Sequence, residues 1–441
     1  SDADGTCVQF ELAFAGPLPG RRAHGVALPT ADRQAVARLV KPHSSDDFED
    51  ALAQAGREGK PVLIDFGAVW CPPCNLLQAQ VLHDAADAEL LAGFVVIEVD
   101  VDQPESWPIK DRYAVGGYPT VVMARADGTE RDRIVGYPGE SAFKGWILKS
   151  LDATPLSAPP PPDGLGPGAA ADLARRLAGV QRLDDAAPYL ARAEQGAPDE
   201  VPDAALHIAR LLIREDPAAA LWLAQNTAPS DEWIWSALEL ARTDDNLSAA
   251  LVAAAAAALP HAPAVFAADL LYVVANLAPS DQAPVLYGAA AVALGASLSG
   301  DPALDRGHYT TLSELRQRAG DAAGARSLLE EARASFPDEM TFHYALAGLL
   351  LTQADPKAAL AAAEQAAAVA YGDNALRVAR RRAEALVALD QPAAALTIID
   401  AALDAQQAPA DGMNVRTFRY LKSLQDDREK LSINGTQPAT P

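Results

Sequence analysis

Cysteine is scarce in this 441-residue chain, which has only Cys7, Cys71 and Cys74. One close pair and one distant single exclude a disulfide framework and are the count expected where cysteine is used for chemistry. A zinc site needs about four ligands, usually a second CxxC or an HxxxH. Neither Cys7 nor the seven scattered histidines supply that spacing, so no metal is expected. Long apolar runs are also missing. None reaches the roughly 18 residues of a membrane span, and the nearest approach, Ala253 to Ala258, stops at Pro260. Positive charge is short as well, with a net charge of −23. It is 0 over residues 1–40 (4 basic, 4 acidic), −9 over 41–153 (10 and 19) and −14 over 154–441 (22 and 36). Nucleic-acid binding requires a basic face that displaces counterions, so no nucleic-acid partner is expected, and anionic membrane surfaces are disfavoured for the same reason. The charge serves solubility. The sequence opens at "SDADGT" without a methionine, so its lack of a signal peptide says nothing about compartment.

What is present is half apolar and 22% charged, a globular composition, and the length suggests two or three domains. Residues 6–14, "TCVQFELAF", alternate so that Val8, Phe10, Leu12 and Phe14 share one face, which predicts a strand in an N-terminal extension over 1–40. "TADRQAVARLV" predicts a short helix capped by Thr30. From Ser44 helix and strand alternate. "SSDDFEDALAQAGREG" is a capped helix ending at Gly59, "PVLIDFG" a strand, Pro72 the start of a helix, and "FVVIEVDVD" a second buried strand. "ESWPIKDRYAV" is a short helix, "PTVVMA" and "ERDRIVG" form a hairpin about Ala126-Asp127-Gly128, and "ESAFKGWILKSL" closes as a helix. The order describes a compact α/β domain over 41–153. Thr154 to Gly168, "TPLSAPPPPDGLGPG", reads as a Pro/Gly linker that spaces two bodies.

Beyond Ala169 strand signals vanish and alanine and leucine dominate, with Pro or Gly punctuation. "GDAAGARSLLEEARASFPD" aligns with "ADPKAALAAAEQAAAVAYGD" so that Ala325 meets Ala359 and Ala332 meets Ala366, each 34 residues on, and Ala395 and Ala402 follow 36 further. Small residues seven apart let paired helices approach closely. The 34-residue spacing resembles the tetratricopeptide repeat, with three units over 306–408 and the helix-A aromatic kept only in part (Tyr309, then Phe342/His343). "DPAAALWLA" at Asp216 echoes "DPKAALAAA" at Asp355, which extends the solenoid back over 169–430 as degenerate units, leaving a disordered tail at 431–441. Stacked hairpins bury a continuous core and leave a concave face for a client or partner.

The stretch "VLIDFGAVWCPPCNLL" carries the chemistry. A cysteine at the start of a helix that follows a buried strand is favoured as thiolate, the form that attacks a disulfide. Cys74, one turn later on the same face, is placed to resolve the mixed disulfide. A disulfide across two residues restrains little chain entropy, which argues against a mere staple. An idle thiol pair remains a second reading. The segment resembles the active site of thioredoxins, and "GGYPTVVMA" resembles that family's second signature, with Pro119 lying 45 residues beyond Cys74. More weakly, "GKPVLIDFGAVWCPPC…VLHDAADAELL" resembles the thioredoxin-like domains of extracytoplasmic disulfide-interchange proteins.

The resemblance implies Cys71 as nucleophile, Cys74 as resolving thiol and Asp65 as the buried carboxylate that exchanges a proton with Cys74, its pKa raised for that task. It implies a cis peptide at Pro119, pairing of the Tyr118 backbone with an extended substrate, and Trp70 shielding the sulfurs. Four positions should set the potential. Asn75 and Glu98 stand where the family often carries lysine, so both remove positive charge, while Pro72 and Pro73 lack N–H groups. A less acidic Cys71 than in strongly oxidising relatives follows. The expected activity is thiol–disulfide exchange on protein substrates, fed by a dithiol partner protein and needing no organic cofactor. Clients or a partner would be recruited by the repeats. The rivals are a co-chaperone with weak redox activity and an assembly adaptor with a vestigial redox domain. The interchange proteins point to a bacterial periplasm, whereas the acidic charge and fused repeats suit a cytoplasmic setting.

Overall fold

The computed structural model describes residues 39–42, 44–151, 156, 158–197, 200–201, 203–405 and 415–435. The strand expected at 6–14, and Cys7 with it, lie outside these residues, as does most of the helix expected from Thr30. The last two residues of that helix, Leu39–Val40, are instead a strand, β1, paired in parallel with the next strand but one. Two apolar residues cannot display a period, and an open sheet edge recruits them as strand.

Helix α1 (Ser45–Glu58) begins where the Ser44 hydroxyl accepts the Asp47 N–H at 3.1 Å and ends at Gly59, whose φ of 65° suits a residue without Cβ. Its buried residues Phe48, Ala51, Leu52 and Ala55 repeat at helical spacing. Strand β2 (Val62–Gly67) is buried along its whole length because it is central. It pairs in parallel with β3 (Val95–Asp100) and antiparallel with β4 (Thr120–Ala124), and β5 (Glu130–Val135) completes the order β1-β3-β2-β4-β5. Helices α1 and α4 (Trp107–Arg112) cover one face. Helices α2 (Pro72–Leu77), α3 (Ala88–Leu91) and α5 (Glu140–Ser150) supply the core on the other, around Leu63, Val81, Phe94, Phe143 and Ile147.

The rest is all helical. Helices α6 (Pro167–Gly179) to α21 (Val415–Gly435) form a solenoid of hairpins resembling a tetratricopeptide array. Hairpin turns repeat one device, a single left-handed residue at the end of the first helix. It is Gln181 between α6 and α7 (Leu183–Ala193), and Glu215 between α8 (Asp203–Arg214) and α9 (Pro217–Asn226). Ala354 does the same between α17 (Met340–Thr352) and α18 (Pro356–Val369), and Asp390 between α19 (Asn374–Ala388) and α20 (Pro392–Ala405). Asp216 and Asp355 then cap the second helices by accepting backbone N–H groups. Ala325, Ala332, Ala359, Ala366 and Ala395 are all buried, so the spacing read from sequence marks close helix packing. Ala402 lies at the rim of the last cluster.

Two expectations are corrected. The described part of the linker is no free spacer. Leu156 is fully buried with Leu173 and Leu177 of α6, and Tyr189 of α7 donates to the Pro160 carbonyl at 2.9 Å. The tail does not begin at Leu431 either. Helix α21 runs through Gly435 and Leu431 packs on the last cluster, because no helix breaker intervenes before that glycine.

Candidate active site

Strand β2 delivers the chain to the top of the sheet, and a short loop places Cys71 as the N-cap of α2. Pro72 and Pro73 occupy the first helical positions, where their missing N–H groups leave no orphan donor. Cys71 and Cys74 form a disulfide with S–S 1.97 Å. The Cys74 N–H points at Cys71 Sγ, 3.3 Å away, the local donor left once two prolines have removed theirs. Asn75 is buried and its Nδ2 donates to the Val69 carbonyl at 3.1 Å. Its visible work is to tie the loop before the cysteines to the helix after them. The facing loop ends at Pro119, whose peptide bond with Tyr118 is cis. Trp70 and Tyr118 meet edge to face at 6.0 Å, which joins the two loops. Tyr118 is pushed up to about 12, chiefly by burial.

Asp65 lies inside β2 opposite Glu98 of β3. It is 1% exposed, and neither carboxylate oxygen has a hydrogen-bond partner among the described residues. Burial, and then the negative charge of Glu98, hold its pKa well above the ordinary carboxylate value, with Lys41 opposing them. Asp65 Oδ2 and Cys74 Sγ lie 3.6 and 3.7 Å from the point a Gly67 side chain would occupy, so the acid and the Cys74 sulfur share one small space. A cavity of about 250 Å³, lined by Asp65, Glu98, Lys41, Gln103, Arg306 and Tyr371, opens beside them.

Glu98 qualifies one sequence inference. The family's strand lysine is indeed missing, but Lys41 Nζ sits 3.0 Å from one Glu98 oxygen and His83 Nε2 2.6 Å from the other. Burial pushes Glu98 up, but the bonds and charges of His83 and Lys41 outweigh it and hold the carboxyl below its usual range. Lys41 thus restores positive charge from another segment and His83 adds a hydrogen bond, which sequence reasoning missed. It also missed Asp102. That carboxylate is fully buried, accepts the Trp70 indole N–H at 2.8 Å, and is met by Asn374 and Arg416 of the helical array. The acidic end of "FVVIEVDVD" is the one signal the sequence held for it.

Comparison with known proteins bears on this region. The thioredoxin-like domain family matches residues 48–150. A thioredoxin H-type of Oryza sativa subsp. indica is 35% identical over 120 residues, which cover 27% of this chain and 93% of that protein. The chain belongs to the thioredoxin family. Thioredoxin H4 of Arabidopsis thaliana is 33% identical over 117 residues, again with 93% of its length matched. The thiol:disulfide interchange protein DsbD of Vibrio cholerae is 32% identical over 138 residues, which span 22% of that protein. These relatives align with under a third of this chain, so its thioredoxin domain has family precedent in them and its helical array does not.

Proposed function

We propose that the chain is a thiol–disulfide oxidoreductase acting on protein substrates, with Cys71 as nucleophile and Cys74 as resolving thiol. The observation that carries this reading is the unpartnered, buried Asp65 carboxyl set beside Cys74 and behind the Cys71–Cys74 disulfide. In the reducing direction the Cys71 thiolate attacks one sulfur of a substrate disulfide, and the other sulfur leaves as a thiolate that takes a proton. Asp65 then accepts the Cys74 proton, through a water in the adjoining cavity. Cys74 sulfur attacks Cys71 Sγ, closing the protein's disulfide and freeing the second substrate thiol. Two electrons have moved to the substrate, and a dithiol donor protein restores Cys71 and Cys74. No organic cofactor enters the scheme. Tyr118 and Pro119 offer backbone to an extended substrate and Trp70 covers the sulfurs. Pro72, Pro73, Asn75 and Glu98 tune the thiols. The array recruits the client or partner.

The likeness to interchange proteins supports an extracytoplasmic, periplasmic setting. Among the described residues no helix is long and apolar enough to cross a membrane. The reading in which the array does the main work, as a co-chaperone or adaptor, draws support from Cys71 being only 2% exposed. Reduction of insulin by the full chain with dithiothreitol as donor separates the two. Turnover that vanishes in Cys71→Ser supports the oxidoreductase, and absence of turnover from the intact pair supports the adaptor. A Cys74→Ala variant, which cannot resolve, should retain a recurrent set of proteins disulfide-linked to Cys71.

A further inference from the structure

Four segments of the array reach two loops and one helix of the thioredoxin domain around its disulfide. At the α6–α7 turn, Gln181 Oε1 lies 3.0 Å from where a Gly116 side chain would begin, just ahead of the Tyr118–Pro119 bond. Gly307, in the turn leading into α15 (Tyr309–Arg318), lies against α2, and a Cβ there would fall 2.6 Å from the Pro72 carbonyl oxygen and from Leu76 Cγ. The segment before α19 and the start of α21 cover the loop after β3. There Tyr371 donates to Asp100 at 2.7 Å and Asn374 Nδ2 to Asp102 Oδ2 at 2.7 Å. Arg416 pairs with Asp102 and Asp373 together, and its guanidinium stacks 4.6 Å from the Trp70 ring.

The two ends of this joint differ in chemistry. Near α6 it is mainly apolar, with Val135 of β5 packed on the cluster of Leu156, Leu173 and Leu177, beside one ion pair of Arg176 with Asp132 at 3.1 Å. Over the disulfide it is built from glycines and from ion pairs, which can part without exposing a large apolar area. Attack on a substrate disulfide requires direct approach to Cys71 Sγ, and a residue only 2% exposed leaves little room for it. We propose that the helical array is a lid over the Cys71–Cys74 site, anchored at its α6 end and latched at Asp102 by Arg416 and Asp373, and that the latched form is the resting state. The proposal rests on the exchange activity inferred above. Closure occupies Trp70 and the loop of Tyr118, the surfaces a substrate segment needs. Substrate and lid therefore exclude each other, and the rate follows the open fraction. A client that binds the array in its open form would switch on the enzyme that reduces it.

The test uses the full chain and perturbations that share no residue. Gly307→Ala wedges the joint at α2. Gly372→Ala wedges it at the other side, since a Cβ there would fall 1.8 Å from the Asp102 carbonyl oxygen. Arg416→Gln leaves Asp102 and Asp373 facing each other without their cation. Gly295→Ala in α13 (Ala283–Ala296), where the added methyl meets nothing within 4 Å, is the control. Two readouts are taken. One is the rate at which iodoacetamide labels reduced Cys71, followed by peptide mass spectrometry at a pH where the thiolate is saturated. The other is insulin reduction. The lid predicts that each wedge and Arg416→Gln raise labelling at least about tenfold over wild type and control, with far-ultraviolet circular dichroism unchanged, and raise insulin turnover in step. A variant that loses the helical signal leaves the decision to the other two. Labelling within twofold of wild type in the folded variants, or slower insulin turnover beside faster labelling, overturns the lid. Faster labelling with no insulin turnover in any form keeps the lid and removes the oxidoreductase.

Discussion

Asp65 is bracketed by opposite charges, so its titration should move in opposite directions when each is removed. Glu98 faces it across the β2–β3 register and raises its pKa, while Lys41 lowers it. Two unit charges roughly 6 Å apart at an effective dielectric of about 20 interact by about 3 kcal/mol, or roughly two pH units. Lys41 and His83 already offset part of the Glu98 charge, so Glu98→Gln should lower the Asp65 midpoint by about one unit. Lys41 has a side chain 62% exposed and is screened, so Lys41→Met should raise the midpoint by less, roughly half a unit. The assay is a single turnover with Ellman's disulfide. Cys71 attack would release one thionitrobenzoate, and Cys74 attack on the mixed disulfide the second, which isolates the step proposed for Asp65. That second rate should climb with pH through an apparent midpoint belonging to Asp65 and Cys74 together. Asp65→Asn should slow it, by roughly 100-fold at neutral pH, and flatten the climb. A midpoint unmoved in Glu98→Gln, or a wild-type profile in Asp65→Asn, would refute the reasoning.

The same carboxyl offers one further test, and Cys71 and Phe342 offer one each. Below the unfolded carboxylate value both states hold the Asp65 proton. Above it the unfolded chain releases the proton and the folded chain keeps it, so stability falls by up to about 1.4 kcal/mol per pH unit until the raised folded value is passed. Urea unfolding at pH 5 and pH 8 should show that loss in wild type and not in Asp65→Asn. The Cys71 thiolate, with two prolines after it and Asn75 beyond, should titrate above about 5, and thiolate absorbance of the reduced chain checks this. A lower value would end the argument that Cys71 is less acidic than in strongly oxidising relatives. Phe342→Ala should cost the array about 3–5 kcal/mol, because the ring is 1% exposed and meets Phe336 and Tyr309. A loss under about 1 kcal/mol would mean the hairpins do not share the core described.

Sequence reasoning succeeded where the physical signal was local. The caps of α1, the buried run of β2 and the alanines 34 residues apart each report on neighbours a few residues away or on an exact repeat, and each is in place. The cysteine pair was legible because its chemistry depends on the strand before it and the turn after it. The joint between the bodies was not, because its partners lie far apart in the chain. Arg416 reaches Asp102 across 314 positions and Tyr371 reaches Asp100 across 271. Taken singly, Asp373 and Arg416 look like solvated surface charges, and Lys41 looks like linker. The same distance misled the reading of charge. A net of −23 reads as a charge for solubility, which treats every carboxylate except Asp65 as wet. Asp102 and Asp373 are buried as well. Asp102 holds the array to the thioredoxin domain through Arg416, which Asp373 also binds, and Asp65 sits behind the cysteines with no hydrogen-bond partner among the described residues. A buried carboxylate without a partner is costly to fold around, and a guanidinium shared by two carboxylates is a strong but breakable bond. The chain keeps both kinds within reach of a single disulfide, where the proposed exchange would depend on proton transfer and on access to sulfur.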